Sequence, residues 1–325
     1  MGMLSLGFFY SQLFITPSYP TRSFAGETII VTGSNVGLGY EAARHFVRLG
    51  AAKLILAVRD PQAGEKAKQS IESSMKVSGI CEVWQLDLAS YDSVIAFSRR
   101  ARELARLDVV VANASLATPQ FEMIQGHERT VTVNVIGTML LNLLLLPTMR
   151  RSAQLHPGTK PRLTTVVSET HGWTKFPERN SDSIFAALDD KAMANMQERY
   201  ETSKLLQVLL LREMVRQAAD DLVTINMVNP GFCHSTLTRE HDLGVMFVMI
   251  QKLLARTTEV GSRTLVAGAE GGVESHGAYM TNGKVNNGAL SAFVRSEEGM
   301  KIQTNIWLEL IEILEAIEPG STKIL

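Results

Sequence analysis

Cysteine is scarce in this chain, with only Cys81 and Cys233 among 325 residues. Two thiols so far apart in sequence make no disulfide framework and no metal-ligand spacing. A secreted disulfide scaffold and a structural metal module are therefore not expected, no metal site is expected, and a reducing, cytoplasmic setting is. An excess of one charge is also lacking. Lys and Arg number 32 against 33 Asp and Glu, for a formal net charge of −1. Such a balance carries no electrostatic footprint for nucleic acid or an anionic membrane surface, so no nucleic-acid partner is expected. The chain shows no internal repeat and no low-complexity linker. The N-terminal stretch MGMLSLGFFYSQLFI is apolar, but it has no positive n-region and no clear small-residue cleavage site, so it does not read as a signal peptide. It is also too short and too polar to span a bilayer. Residues 1–24 are expected to form an apolar docking segment on the main domain, in preference to an interfacial membrane contact. A second apolar run, residues 243–250, is short enough for a buried or lid helix.

What is present is an alternation of two periods. Residues 28–31, 53–58, 81–87, 107–111, 162–167 and 223–228 are short apolar or alternating runs rich in β-branched side chains. Between them, residues 40–49, 61–75, 91–106, 127–147 and 199–219 have helical spacing. Strands separated by helices require parallel crossovers, so the expected fold is α/β with a doubly wound parallel sheet. Apolar residues at 45% are ordinary for a globular protein, and residues 25–325 are expected to form a single domain. The least regular stretch, residues 172–198, reads as an insertion at the rim of a site.

The turn Thr32-Gly33-Ser34-Asn35-Val36-Gly37-Leu38-Gly39 follows the first strand and opens the first helix. Glycines permit a tight turn and a close approach to the backbone, and a helix N-terminus offers free N–H groups and a favourable dipole to a pyrophosphate. Alone the turn could be structural; in this context it reads as a dinucleotide cradle made by Gly33, Asn35, Gly37, Leu38 and Gly39. The end of the second strand selects the cofactor, because an acid there accepts from the ribose hydroxyls of NAD and an arginine accommodates the 2′-phosphate of NADP. Val58 falls at the acid position, Arg59 follows and Asp60 lies one step further, so NADP is expected. Asp87 is placed to accept from the adenine amino group, or else to cap a helix. Asn113 would flank the adenine ribose, or else serve as a turn asparagine.

Tyr200 and Lys204 in Tyr200-Glu201-Thr202-Ser203-Lys204 share one helix face, one turn apart. A free phenol titrates near ~10, so a neighbouring cation would be needed for it to act as phenolate near neutrality. With the glycine turn, Asp87, Asn113-Ala114-Ser115, Asn134, Ser168 and Asn229-Pro230-Gly231 in this order, the chain resembles the short-chain dehydrogenase/reductase family over roughly residues 27–240. Ala57-Val58-Arg59-Asp60, Val167-Ser168-Glu169-Thr170-His171, Pro230-Gly231-Phe232-Cys233-His234-Ser235 and the stretch GAYMTNGK at 277–284 resemble its retinol-dehydrogenase-like branch, and the N-terminus resembles fungal members. The resemblance implies a Rossmann-type, three-layer α/β/α domain. It makes Tyr200 the proton donor or acceptor, with Lys204 lowering the phenol pKa and holding the nicotinamide ribose. It makes Ser168 the partner of the substrate oxygen, Asn134 the holder of a water in the proton relay, and Ser235 a neighbour of the nicotinamide carboxamide. The implied activity is NADP-dependent interconversion of a small-molecule ketone or aldehyde with an alcohol, in fungal secondary metabolite biosynthesis. The alternatives are an NAD enzyme of the same fold and a non-catalytic cofactor-sensing protein. A homodimer through two long helices is also implied. Ser115 departs from the family's usual glycine, and the gap from Ser168 to Tyr200 is long. His171 reads as a loop or substrate-contact histidine, since Tyr200 and Lys204 already fill the acid–base role.

Overall fold

The computed structural model describes residues 6–218, 222–234, 237 and 251–323. Ser235 and the apolar run at 243–250 lie outside the described residues. The main sheet is built from Thr28–Thr32 (β1), Lys53–Val58 (β2), Cys81–Gln85 (β3), Val109–Ala112 (β4), Arg162–Val166 (β5), Thr224–Asn229 (β6), Tyr279–Thr281 (β7) and Lys284–Val285 (β8). Its order is β8-β7-β6-β5-β4-β1-β2-β3. Every pairing is parallel except that of β8 with β7. The order reverses between β1 and β4, which places a crevice beyond Thr32 and Ala112, where open α/β sheets receive their ligands.

β1 and β4 are buried at every position, as strands covered on both faces must be. Successive side chains feed opposite layers. Ile30, Ile55 and Val110 join one apolar cluster with Leu140, Leu206 and Trp307, while Ile29, Val31, Leu54 and Leu56 join the other with Phe46, Ile71 and Val266. The result is the three-layer arrangement. The helices that supply the layers are Gly37–Arg48 (α2), Pro61–Met75 (α3), Tyr91–Ala101 (α4), Thr138–Leu155 (α5), Arg199–Gln217 (α7), Thr258–Glu270 (α8) and Glu297–Ile317 (α9); two shorter helices are Leu6–Phe14 (α1), before β1, and Ile184–Asp189 (α6), between β5 and α7.

Three features go beyond the sequence expectation. α5 does not stop at Pro147 but runs to Leu155, with Thr148, Met149 and Ser152 buried beyond the proline. Ser152 Oγ accepts from Leu107 N at 2.6 Å, so tertiary contacts hold a turn that the missing proline N–H weakens. The segment Arg129–Leu155 is apolar enough to cross a membrane by composition, yet 89% of its most apolar window is buried inside the protein. Residues 172–198 are ordered by α6, whose first N–H groups, Ile184 N and Phe185 N, donate to Glu309 of α9 at 2.9 Å each. Finally, Ile306, Leu310 and Leu314 of α9 are fully buried, and α9 packs on α7. α9 thus covers one face of α7, and the large apolar side chains of α7 are buried or half-buried.

α1 lies across the loop after β6. Gln12 Nε2 donates to the carbonyls of Phe232 (2.8 Å) and Leu254 (3.0 Å), and Gln12 Oε1 accepts from Phe232 N at 3.2 Å. The buried Arg256 donates to the carbonyls of Ser11 (2.9 Å), Ile15 (3.0 Å) and Pro230 (3.1 Å). Phe8 is buried and meets Trp173 edge to face, with ring centroids 6.4 Å apart.

Candidate active site

The glycine turn sits at the sheet's switch point. Gly33 and Gly37 are left-handed (φ +63° and +64°), a conformation that favours glycine. A Cβ at Gly39 would stand 2.4 Å from Gly33 O and 2.6 Å from Asn113 Nδ2, so only glycine lets α2 approach the strand end this closely. A Cβ at Gly37 would meet nothing, and the space beside it is open. α3 and α4 are capped by the side chains of Asp60 and Ser90, whereas α2 begins at Val36 with no side-chain cap. Among the described residues, the first N–H groups of α2 thus have no side-chain acceptor, and the buried Ser34 hydroxyl beside them has no partner. These donors, the open space and the switch-point location fit a dinucleotide pyrophosphate. Asn35 and Leu38 belong to the same turn.

Asn113 ties the ends of β1 and β4 together. Its N donates to Thr32 Oγ1 (2.9 Å) and its Nδ2 to Thr32 O (2.9 Å). Val58 is buried, and Asp60 accepts from Gln62 N at 2.9 Å as the cap of α3. Arg59 is exposed and makes no ion pair or hydrogen bond among the described residues. Asp87 Oδ1 accepts from Ala89 N at 3.0 Å, and the cap of α4 is Ser90, so Asp87 is not the helix cap that its alternative reading required.

The second half of the site gathers beyond β5. Ser168 starts the 3₁₀ turn Glu169–Gly172, and its hydroxyl hydrogen-bonds that of Tyr200 on the first turn of α7. Lys204, one turn on, is fully buried; its Nζ donates to Val166 O (3.0 Å) and to Gln207 Oε1 (2.9 Å) and stands 5.6 Å from the Tyr200 ring centroid. The chain alone does not lower the phenol as expected. Burial pushes Tyr200 above its usual range, Glu201 adds to this, and only the Ser168 hydrogen bond opposes it. Burial also pushes the Lys204 ammonium down to about 7. At neutral pH Tyr200 therefore holds its proton.

Asn134 lies in the π-helical turn Thr132–Gly137 and is fully buried. Its side chain is occupied by protein: Oδ1 accepts from Leu116 N (2.9 Å), and Nδ2 donates to Leu116 O (2.8 Å) and Ser203 Oγ (3.0 Å). Its carbonyl accepts from Gln207 Nε2 at 2.5 Å. His171 Nδ1 pairs with Ser168 O (2.7 Å) and its Nε2 accepts from Ser291 N (3.0 Å). With Nε2 accepting, His171 is neutral, and burial holds its pKa below the usual histidine range. It props the Ser168 turn, with both ring nitrogens engaged by backbone groups. Glu169, beside Ser168, is pushed up to about 7 by burial against the partial opposition of Arg256. The sequence reading passed over Gln207, Ser203, Gln12 and Arg256. Of these only Gln207 had a local signal, as the one polar residue in an apolar helical run.

A profile of the short chain dehydrogenases matches residues 27–156. A protein named short chain dehydrogenase/reductase dmxR8, from Cryptosporiopsis sp., is 46% identical over 325 residues, covering 98% of this chain and 99% of that one. The chain belongs to the short-chain dehydrogenase/reductase family. The short-chain dehydrogenase anuD of Penicillium roqueforti is 43% identical, with 98% of this chain and 85% of that protein covered. Among solved structures, the Pseudomonas aeruginosa RhlG/NADP active-site complex matches with a TM-score of 0.61 at 20% identity, covering 84% of this chain and 99% of that one. At that identity the likeness speaks for the fold alone. These similarities do not single out the retinol-dehydrogenase-like branch. The dehydrogenase is an oxidoreductase of this family, with its tyrosine, serine and lysine gathered on the C-terminal side of β5.

Proposed function

We propose that this dehydrogenase interconverts a carbonyl group and an alcohol on a small molecule, with NADP as its cofactor. The observation that carries this reading is the meeting of the Ser168 and Tyr200 hydroxyls one helical turn from a buried lysine. When bound, a nicotinamide dinucleotide supplies the hydride in reduction or takes it in oxidation. Ser168 donates to the substrate oxygen and orients it. Tyr200, protonated because of its burial, gives its proton to that oxygen as the C–H bond forms, so the alcohol leaves with one hydride and one proton added. Lys204 stabilises the phenolate that remains and reaches toward the ribose from the same helix face. Gly33, Gly37, Gly39 and the N–H groups of α2 hold the pyrophosphate, Asp87 the adenine amino group and Asn113 the adenine ribose. Arg59 supports the choice of NADP, because its guanidinium has no partner among the described residues while Asp60 is committed to capping α3. The fungal origin of the relatives supports a place in secondary metabolite biosynthesis, and the two free, buried thiols support a cytoplasmic setting.

The test is a panel of ketones, aldehydes and alcohols assayed with NADPH, NADH and their oxidised forms. The reading expects at least one carbonyl to be reduced, faster with NADPH than with NADH. A protein that binds NADPH tightly and turns over nothing in the panel would favour a cofactor sensor. Faster turnover with NADH would favour the NAD enzyme of the same fold.

A further inference from the structure

Gln207 lies in the middle of the apolar run at 205–211, yet it is buried as completely as its neighbours. A buried amide without partners is costly, so its bonds matter. Its oxygen accepts from Lys204 Nζ at 2.9 Å, and its nitrogen donates to Asn134 O at 2.5 Å. The amide's orientation follows from chemistry: an ammonium can only donate and a carbonyl can only accept. The π-helical turn Thr132–Gly137 presents the Asn134 carbonyl to α7, and Asn134 is itself held through Leu116 and Ser203.

We infer that Gln207 is a positioning residue of the proton-transfer site, its side-chain amide joining the Lys204 ammonium to the Asn134 carbonyl at the place where the family resemblance implied a water. The inference rests on the reading of Tyr200 and Lys204 as the proton-transfer pair. Two of the three Lys204 donors are committed, to Val166 O and Gln207 Oε1, which leaves one N–H uncommitted among the described residues, with the Tyr200 ring centroid 5.6 Å from Nζ. An amide holds a proton on nitrogen and accepts on oxygen; unlike water, it does not take up a proton at one side and release one at the other without becoming an imidic acid. Lys204 is thus fixed from behind but not connected onward through Asn134. Tyr200 is the titratable group facing Lys204, and burial alone, with no neighbouring charge among the described residues, sets the direction of the lysine's shift.

The test uses the full-length protein with lysines labelled with ¹³C at Cε, the Lys204 resonance being assigned by its loss in Lys204→Met. Gln207→Met keeps the volume and removes both hydrogen bonds; Gln207→Glu keeps an acceptor and adds a charge. The Lys204 midpoint should fall by about one pH unit in Gln207→Met, a tenfold change in the protonation equilibrium, and should rise in Gln207→Glu. In carbonyl reduction, kcat of Gln207→Met should fall about tenfold at neutral pH, with KM for the carbonyl within about twofold. A folded Gln207→Met, by near-UV circular dichroism, whose lysine titrates as in wild type would overturn the inference. If Gln207→Met does not fold, an unshifted lysine in Gln207→Glu would overturn it instead. The titration needs neither substrate nor cofactor. A wild-type protein without turnover would therefore refute the proposed reaction separately from the Gln207 bridge.

Discussion

Replacing Arg59 with alanine isolates the cofactor preference from everything else in the site. Val58, at the end of β2, points into the core and offers no carboxylate, and Asp60 is held by Gln62 N. The guanidinium of Arg59 is thus the local charge available to a 2′-phosphate, and its removal disturbs no hydrogen bond or ion pair among the described residues. A charge-assisted hydrogen bond contributes about 1.5–3 kcal/mol when sheltered. Arg59 is exposed, so solvent and salt weaken the contact, and about 1–1.5 kcal/mol is the appropriate figure, or roughly fivefold to tenfold in Kd. Fluorescence titration with NADPH and NADH reads this directly. Arg59→Ala should weaken NADPH by that factor and leave NADH within about twofold, and the NADPH loss should shrink as salt is raised. An equal loss for both cofactors, or no loss for either, would show that Arg59 does not meet the 2′-phosphate.

Two further perturbations probe the frame around the site. His171 is buried neutral, so its folded pKa lies below the unfolded value, and between the two the unfolded chain binds more protons. Stability carried by His171 is therefore present above about 6.5 and lost as pH falls below it; the melting-temperature difference between wild type and His171→Gln should narrow on acidification, and a constant difference would contradict the buried neutral tautomer. Deleting residues 1–24 removes Gln12 from the backbone of Phe232 and Ser11 and Ile15 from Arg256, and it uncovers Trp173. The truncated protein should be less soluble and should bind more hydrophobic dye, whereas release from a membrane fraction into the soluble one would indicate an interfacial anchor.

Much of this fold was legible because its signals are local. Strands such as Thr28–Thr32 are written as continuous β-branched runs, and the glycine turn and the tyrosine–lysine spacing are each read within eight residues. The helix Pro61–Met75 announces itself with a capping aspartate and a proline in its first turn. The parts that escaped depend on distant partners. α5 passes through Pro147 because burial and Ser152 hold its last turns. Arg256 looks like a loop arginine until the backbone of α1 arrives 241 to 245 residues away in sequence. Gln207 hides in a run of leucines and is explained only by a carbonyl 73 positions earlier. The packing of α9 on α7 depends on distance in the same way, since nothing in the sequence of α7 says that α9 will cover it. The expected lowering of the phenol pKa rested on spacing alone: in the fold, burial and Glu201 raise the phenol and only the Ser168 hydroxyl opposes them.

The proposed reaction depends most directly on the Tyr200 hydroxyl. Tyr200→Phe keeps the ring, and with it the packing of α7 against the Ser168 turn, while removing the proton and the bond to Ser168. The decisive measurement is single-turnover carbonyl reduction with saturating NADPH, together with NADPH affinity by titration, in wild type and mutant. The account predicts a rate lower by about a hundredfold or more, with NADPH affinity within about twofold of wild type. A mutant that reduces the carbonyl at close to the wild-type rate, with its cofactor bound, would remove Tyr200 from the chemistry and contradict the account.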